Sequence, residues 1–345
     1  MRVLIDTTYA ERAPLTGTGV YVRRLCEELE RSGEVELIRV ANRRRRPPAG
    51  GGVGSVRNLA GDVRWTAREL PRLAARHGAQ VIHHPLPARS PAARPAQVVT
   101  VVDLAFERLP ECFDRRFRTF ARLAHRAAAR RAQAVVCISE TTAADVRELW
   151  GVEPRRIVVA PLGPGQEPTP AARAASERGH FLYVGDAEPR KNLGTLLAGY
   201  ERYRARAAAP LPLILAGRAS ARAAGVRVER EPTTERLAEL YAGAVALVQP
   251  SLYEGFGLTA LEAMSVGAPV LAARSPGLSE VCGEAALWVD PHDPESFARG
   301  LSELECDPAL RGRLAELGRA RARAFTWARC AAAHLRAYSL AVSGA

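Results

Sequence analysis

Pro250-Ser-Leu-Tyr-Glu254-Gly-Phe-Gly-Leu-Thr-Ala-Leu-Glu262-Ala263 is the stretch that decides the architecture. The apolar run 244–249 leads into Pro250 and reads as a buried strand. Gly255 and Gly257 permit a tight backbone turn. A helix follows, from about Leu258 to Val266. A strand, a glycine turn and a helix start belong at the C-terminal edge of a parallel sheet, where free N–H groups and the helix dipole bind anions. Glu254 falls in the turn and Glu262 on the helix, so the two carboxylates have different tasks. A carboxylate grips vicinal hydroxyls, which sugars and riboses offer. An ordinary strand-to-helix turn with capping acids would read similarly, so the neighbouring motifs have to decide.

Upstream, Tyr183-Val-Gly185-Asp-Ala-Glu-Pro189-Arg190-Lys191-Asn192-Leu193 is a second strand, turn and helix start. Arg190 and Lys191 then stand at the edge of the same sheet, and two cations there suit a diphosphate. Lys191 is the only lysine among 49 Lys and Arg residues. A chain that otherwise uses arginine keeps one compact ammonium, which fits a site needing a point charge rather than a planar fork. A third glycine loop, Thr16-Gly17-Thr18-Gly19-Val20-Tyr21, opens the first long helix. It lacks the third glycine and the acidic residue of a dinucleotide fingerprint.

Short apolar strands alternate with helical patterns throughout, the signature of parallel α/β layers. Strands are expected near 2–7, 35–41, 55–59, 80–84, 97–102, 134–138 and 157–160. In the second half they are expected near 181–185, 212–216, 226–229, 244–249, 269–273 and 286–289. Proline and glycine at 161–165 open a linker. The expected domains are 1–163 and 179–325, joined by a linker at 164–178 and followed by a helix at 326–345. The six cysteines are scattered without a C-x-x-C, and the adjacent pair His83-His84 diverges on a strand. Neither pattern suits a metal. The start of the chain carries no secretory signal and no apolar run is long enough to span a membrane, so a cytoplasmic protein is expected.

Residues 1–165 carry 28 arginines and 17 acids, whereas residues 166–345 carry 21 basic and 20 acidic residues. The excess of +11 against +1 could attract nucleic acid, an anionic membrane or a phosphate-bearing acceptor, or be a solvated arginine-rich surface. No aromatic and basic platform of the nucleic-acid type accompanies it. Two arginine stripes stand out, at 64, 68, 72 and 76 and at 115, 118, 122 and 126. Phe113, Phe117, Ala121 and Ala124 lie opposite the second, as for a surface helix with one face in the core.

The motifs together resemble the GT-B enzymes of glycosyltransferase family 4 over nearly the whole chain. Matching pieces include the Gly17–Tyr21 loop, Val136-Cys-Ile-Ser139-Glu140, Val159-Ala-Pro-Leu-Gly163, Gly185 through Leu193, Pro250 through Glu262, Gly267-Ala-Pro269-Val270 and Phe325-Thr-Trp327. The resemblance implies two Rossmann-like domains facing a cleft, with the C-terminal helix packing back on the N-terminal domain. It implies a retaining, metal-independent transfer of a hexose, mannose-like by subgroup, from a nucleoside-diphosphate sugar, with no cofactor. Glu254, Lys191 and Arg190 would be catalytic. Gly17, Gly19, Gly185, Gly255, Phe256, Gly257, Leu258 and Glu262 would join them in binding the donor, with Glu262 on the ribose. His83, His84 and Asp103 would lie on the acceptor side. From the basic first half and its arginine stripes, the acceptor is expected to be a glycan or a polyprenyl-diphosphate-linked glycan at the inner face of an anionic membrane, and nucleic acid is not expected. The family often reads His-Asp after the strand at 97–102, where this chain has Val102-Asp103. That change leaves room for a weakly active partner subunit. A nucleotide-sugar epimerase on the same fold is the other alternative.

Overall fold

The structure, a computed structural model, describes residues 1–44, 61–165, 179–219 and 221–344. The expected strand at 55–59 and the linker beyond Gly165 lie outside the described residues. The chain divides into two compact units. One comprises Met1–Glu107, Asp114–Leu162 and Trp327–Ala345, the other Arg108–Phe113 and Gly163–Thr326.

The first unit is built on β1 (Arg2–Asp6), β2 (Glu36–Val40), β3 (Val81–His84), β4 (Ala96–Val101), β5 (Ala134–Cys137) and β6 (Ile157–Val159). They form one parallel sheet in the order β2-β1-β3-β4-β5-β6. Every residue of β3, β4 and β5 is buried. Continuous apolar runs make strands covered on both faces, which parallel sheets require. The helices used below are α1 (Thr8–Arg12), α2 (Gly17–Ser32), α3 (Leu70–Arg76), α4 (Arg115–Arg131) and α5 (Glu140–Trp150). A π-helical turn, Trp65–Glu69, leads into α3, next to Pro71, which has no N–H to give a regular ladder.

The second unit holds β7 (His180–Val184), β8 (Leu213–Ala216), β9 (Val226–Glu229), β10 (Ala244–Gln249), β11 (Val270–Ala273) and β12 (Ala286–Val289). Its parallel sheet runs β12-β11-β10-β7-β8-β9. Strand order reverses between β7 and β10, and such a switch point leaves a crevice outside the carboxyl ends of the strands. The helices are α6 (Leu193–Arg206), α7 (Thr234–Gly243), α8 (Leu258–Val266), α9 (Pro276–Cys282), α10 (Pro294–Cys306) and α11 (Pro308–Ala322). α8 buries Ala260, Leu261, Ala263 and Met264 in succession, so it is an interior helix, and Glu262 is buried with them.

The last helix, α12 (Trp327–Ser343), returns to the first unit, as the fold class implied. It is held there by a buried polar chain. His334 Nδ1 lies 2.8 Å from the Cys330 carbonyl, which can only accept, so that nitrogen donates. His334 Nε2 then accepts from the Tyr21 hydroxyl at 2.8 Å. Tyr21 in turn takes the Thr100 hydroxyl proton at 2.8 Å. His83 Nε2 donates to Thr100 Oγ1 at 2.9 Å, and Tyr338 donates to His83 Nδ1 at 2.9 Å. Both imidazoles are neutral in this arrangement. Burial holds His334 at about 4 and, helped by the nearby His334, holds His83 well below the ordinary histidine range.

Candidate functional site

Both motifs of the second unit emerge at its switch point. After β7 the chain makes a short 3-10 turn at Pro189–Lys191 and then Asn192, in left-handed backbone at φ 56°. Asparagine tolerates that region better than most residues. Its amide donates to the carbonyls of Pro250 at 3.1 Å and Pro291 at 2.7 Å, and its oxygen accepts from Thr195 at 2.7 Å. The Leu252 N–H donates to the Arg190 carbonyl at 2.9 Å. The loop after β7 is thereby stitched to the loop after β10.

That stitching brings three expected residues together. Lys191 Nζ donates to Glu254 Oε1 at 2.6 Å, and Arg190 Nη1 lies 3.5 Å from Oε2. Gln249 Nε2 at 2.8 Å and Ser251 Oγ at 2.6 Å donate to the same Oε1. Thr259, in the first turn of α8, donates to Gln249 Oε1 at 2.8 Å. The side chains of Glu254, Lys191 and Arg190 are only 9%, 15% and 16% exposed. Burial alone would raise the Glu254 carboxyl, but Lys191, Arg190 and the hydrogen bonds outweigh it and bring it down to about 2. Glu254 is therefore ionised at any ordinary pH.

Gly257 caps α8 with φ 106°, and a Cβ there would meet Leu278 Cδ2 at 2.7 Å, so the turn needs glycine twice over. Phe256 is buried edge-on against Phe325, which leaves its backbone rather than its ring to serve a ligand. Glu262 sits apart from the Glu254 cluster's hydrogen bonds. Its Oε2 accepts from the buried Tyr241 hydroxyl at 2.7 Å. Burial raises its carboxyl to about 7, opposed by Tyr241 and by the Gly165 N–H.

The remaining expected residues belong to the first unit. α2 starts at Gly17, capped by Thr16, whose Oγ1 accepts from the Gly19 N–H at 3.2 Å. A Cβ on Gly19 would lie 2.1 Å from the Ala13 carbonyl, so local packing already demands this glycine. Asp103 accepts from the Ala105 N–H at 3.1 Å and caps the single helical turn Ala105–Arg108. Val102, partly exposed, follows the end of β4. His84 is buried 3.3 Å from Gln97 Oε1, its pKa pushed to about 4 by burial. His83 is fully buried and both ring nitrogens are taken, by Thr100 and Tyr338, so it fastens α12.

Two family profiles, side by side, match this chain: Glycosyltransferase Family 4 over residues 15–163 and Glycosyl transferases group 1 over residues 169–321. The chain belongs to glycosyltransferase family 4. It is 31% identical over 232 residues to O-antigen chain mannosyltransferase B of Escherichia coli. That match covers 61% of this chain and 61% of the relative's length. Among solved structures, sucrose-phosphate synthase of Thermosynechococcus elongatus superimposes with a TM-score of 0.77 at 21% identity, covering 98% of each chain. HepE of Anabaena in complex with UDP-glucose gives 0.71 at 15% identity, covering 98% of this chain and 99% of that one. At these identities the structures establish the shared GT-B fold.

In this family 4 chain the sequence reading gave no role to several residues that shape the site. Gln249, Ser251 and Thr259 hold Glu254, Asn192 joins the two loops, and Tyr241 holds Glu262. Gln249 carried a signal: it is the one polar residue of an otherwise apolar, buried strand. Tyr241 carried none, being 21 residues from its partner on another helix.

Proposed function

We propose that the chain transfers a hexose, mannose favoured, from a nucleoside-diphosphate sugar to a hydroxyl of a glycan or polyprenyl-diphosphate-linked acceptor, with retention of configuration and without a metal. The observation that carries this reading is the buried Arg190–Lys191–Glu254 cluster at the switch point of the second unit. As the glycosidic bond breaks, negative charge grows on the leaving diphosphate. Two fixed cations beside the N-terminus of α8 stabilise that charge in a site largely shielded from water. Three donors occupy Glu254 Oε1, so Oε2 is the oxygen available to a sugar hydroxyl. Glu262, once ionised, accepts from the ribose hydroxyls. The leaving phosphate takes the acceptor proton. A mannosyltransferase relative supports the choice of sugar, and a neighbour solved with UDP-glucose supports a nucleotide-sugar donor.

A thermal-shift panel of UDP-, GDP-, ADP- and TDP-sugars tests the donor, because a ligand that binds the folded state raises its melting temperature by mass action. Transfer to an acceptor is then followed with and without EDTA, and the product anomer is read by NMR. No shift with any nucleotide sugar sinks the donor reading. An inverted product, or activity lost in EDTA and restored by Mg²⁺, sinks the retaining, metal-independent one.

A further inference from the structure

The second unit carries a cleft at the end of its sheet opposite the donor motifs. Strands β7, β8 and β9 start side by side at His180, Leu213 and Val226, and a cleft of about 600 Å³ lies at those starts. The five residues of β7, rising about 3.3 Å each, put roughly 15 Å between it and the Arg190–Lys191–Glu254 cluster. Pro210, Leu211, Ile214 and Val226 give the cleft an apolar wall, and Arg204 and Arg227 give it charge. No acid lines it among the described residues. Among those residues neither guanidinium has an ion pair or a hydrogen bond, whereas Arg202 and Arg206 share Glu295, Arg218 pairs with Asp186 and Arg236 with Glu229. The buried Tyr200 shares its hydroxyl proton between the carbonyls of Leu211 at 2.9 Å and Gly225 at 3.0 Å, which ties the turn before β8 to the turn before β9. A Cβ on Gly225 would lie 2.7 Å from Arg204 Nε, so glycine lets the arginine stem rest on bare backbone. Burial raises the Tyr200 phenol and both arginines act against it, so each guanidinium lies within electrostatic reach of that one oxygen.

We infer that this cleft is a second binding site, separate from the donor crevice, for a phosphate monoester with a compact apolar body: Arg204 and Arg227 take the phosphate, and the wall from Pro210 to Ile214 takes the body. Two like charges that share a cleft repel each other unless an anion comes between them. A phosphate monoester has three free oxygens, enough to meet two planar forks at once. A carboxylate has two oxygens, satisfies one fork at a time and is the weaker fit. The volume falls within the range of about 300–1,000 Å³ usual for small-molecule sites, and an apolar lining with a few placed polar groups is their usual make-up.

Ile214 lines the cleft and is the only isoleucine between Gly163 and Thr326, so its methyl resonance reports on this site. Phenyl phosphate, titrated into the full chain labelled at the isoleucine δ1 methyls, should shift that signal saturably; Ile214→Val assigns it. Arg204→Gln/Arg227→Gln should weaken the binding about ten-fold or more, because two charge-assisted contacts go. Circular dichroism checks the fold of that variant, and Arg227→Gln alone, at an exposed position, should weaken binding about three-fold. Arg190→Ala/Lys191→Ala should bind phenyl phosphate at this site as the wild type does. Phenol, and sodium chloride at matched ionic strength, should leave the signal in place. The inference is overturned by an Ile214 signal that stays still with phenyl phosphate or moves as far with phenol or salt. It is equally overturned by a titration unchanged in Arg204→Gln/Arg227→Gln, or by one lost in Arg190→Ala/Lys191→Ala. An equal shift with benzoate overturns the choice of a phosphate.

Discussion

The ammonium of Lys191 donates to Glu254 Oε1 at 2.6 Å, and that oxygen also accepts from Gln249 and Ser251. Space around the nitrogen is thus set for a compact cation. Lys191→Arg keeps the charge but brings a larger planar group that cannot share this oxygen in the same way. Turnover should fall about 10²-fold, the usual cost of removing one preorganised electrostatic donor, and Lys191→Ala should lose at least as much. Steady-state rates decide; wild-type turnover by Lys191→Arg would remove Lys191 from the diphosphate.

Gln249 links Glu254 to Thr259 without reaching toward solvent. Gln249→Leu keeps the bulk but strips Glu254 of a donor and leaves the Thr259 hydroxyl unmatched. A stability loss of about 1–3 kcal/mol is expected for such a buried change. Transfer should slow while affinity for the free nucleoside diphosphate changes little. Calorimetry beside kinetics separates the two, and an equal loss in both would place Gln249 in nucleotide binding.

Glu262 makes the pH dependence predictable. Its carboxyl titrates from 4.5 in the reference state and at about 7 in the fold. Between those values the unfolded chain has released the proton that the folded chain retains. Stability attributable to this group therefore falls as pH rises through that window, by on the order of 3 kcal/mol in total. Glu262→Gln should melt higher than wild type at pH 8 and level with it at pH 4. Nucleotide affinity should run the other way, strengthening as the carboxyl ionises near pH 7. Because nucleotide phosphate itself titrates near about pH 6, the difference between wild type and Glu262→Gln is the quantity to follow. Identical pH profiles for the two proteins would rule out a ribose contact.

Val102 stands where the family often carries histidine. With proton removal assigned to the leaving phosphate, the wild-type chain is expected to transfer sugar. Val102→His should match or exceed it, within the roughly 10²- to 10⁴-fold range of general acid–base assistance. A wild-type protein that binds donor but never transfers, alongside an active Val102→His, would mark the natural chain as a partner subunit.

Tyr338→Phe removes the proton that His83 Nδ1 accepts. The imidazole is buried and would keep one nitrogen unmatched, at a cost of about 1–3 kcal/mol. Thermal melts should show the loss while donor affinity holds. An unchanged melting temperature would mean that α12 does not depend on this chain of hydrogen bonds.

The strands were legible because parallel strands buried on both faces are written as unbroken apolar runs, such as Ala134–Cys137, Leu213–Ala216 and Val270–Ala273. Glycine turns at their ends marked the site motifs for the same reason. What stayed hidden depends on strand order and helix rotation, which local sequence does not encode. His83 looked available at a strand end, but a tyrosine 255 residues away covers it. On α4 both phenylalanines and alanines recur at helical spacing, so periodicity alone could not choose the inward face. Ala121, Ala128 and Ala129 pack inward, Phe117 is half-exposed with its ring edge-on to the buried Phe106, and Leu123 faces outward.

The return of α12 has a consequence for how the protein is made. The sheet of the first unit is translated by Val159, yet the helix bearing His334 and Tyr338 follows only after Gly163–Thr326. At about 5–20 residues per second that interval lasts on the order of ten to thirty seconds. During it, Tyr21, Thr100 and His83 stand on the ribosome without the partners that complete their proton order. The first half to emerge is the last to be sealed, so a nascent chain stalled inside the second unit leaves two unfinished bodies rather than one finished domain.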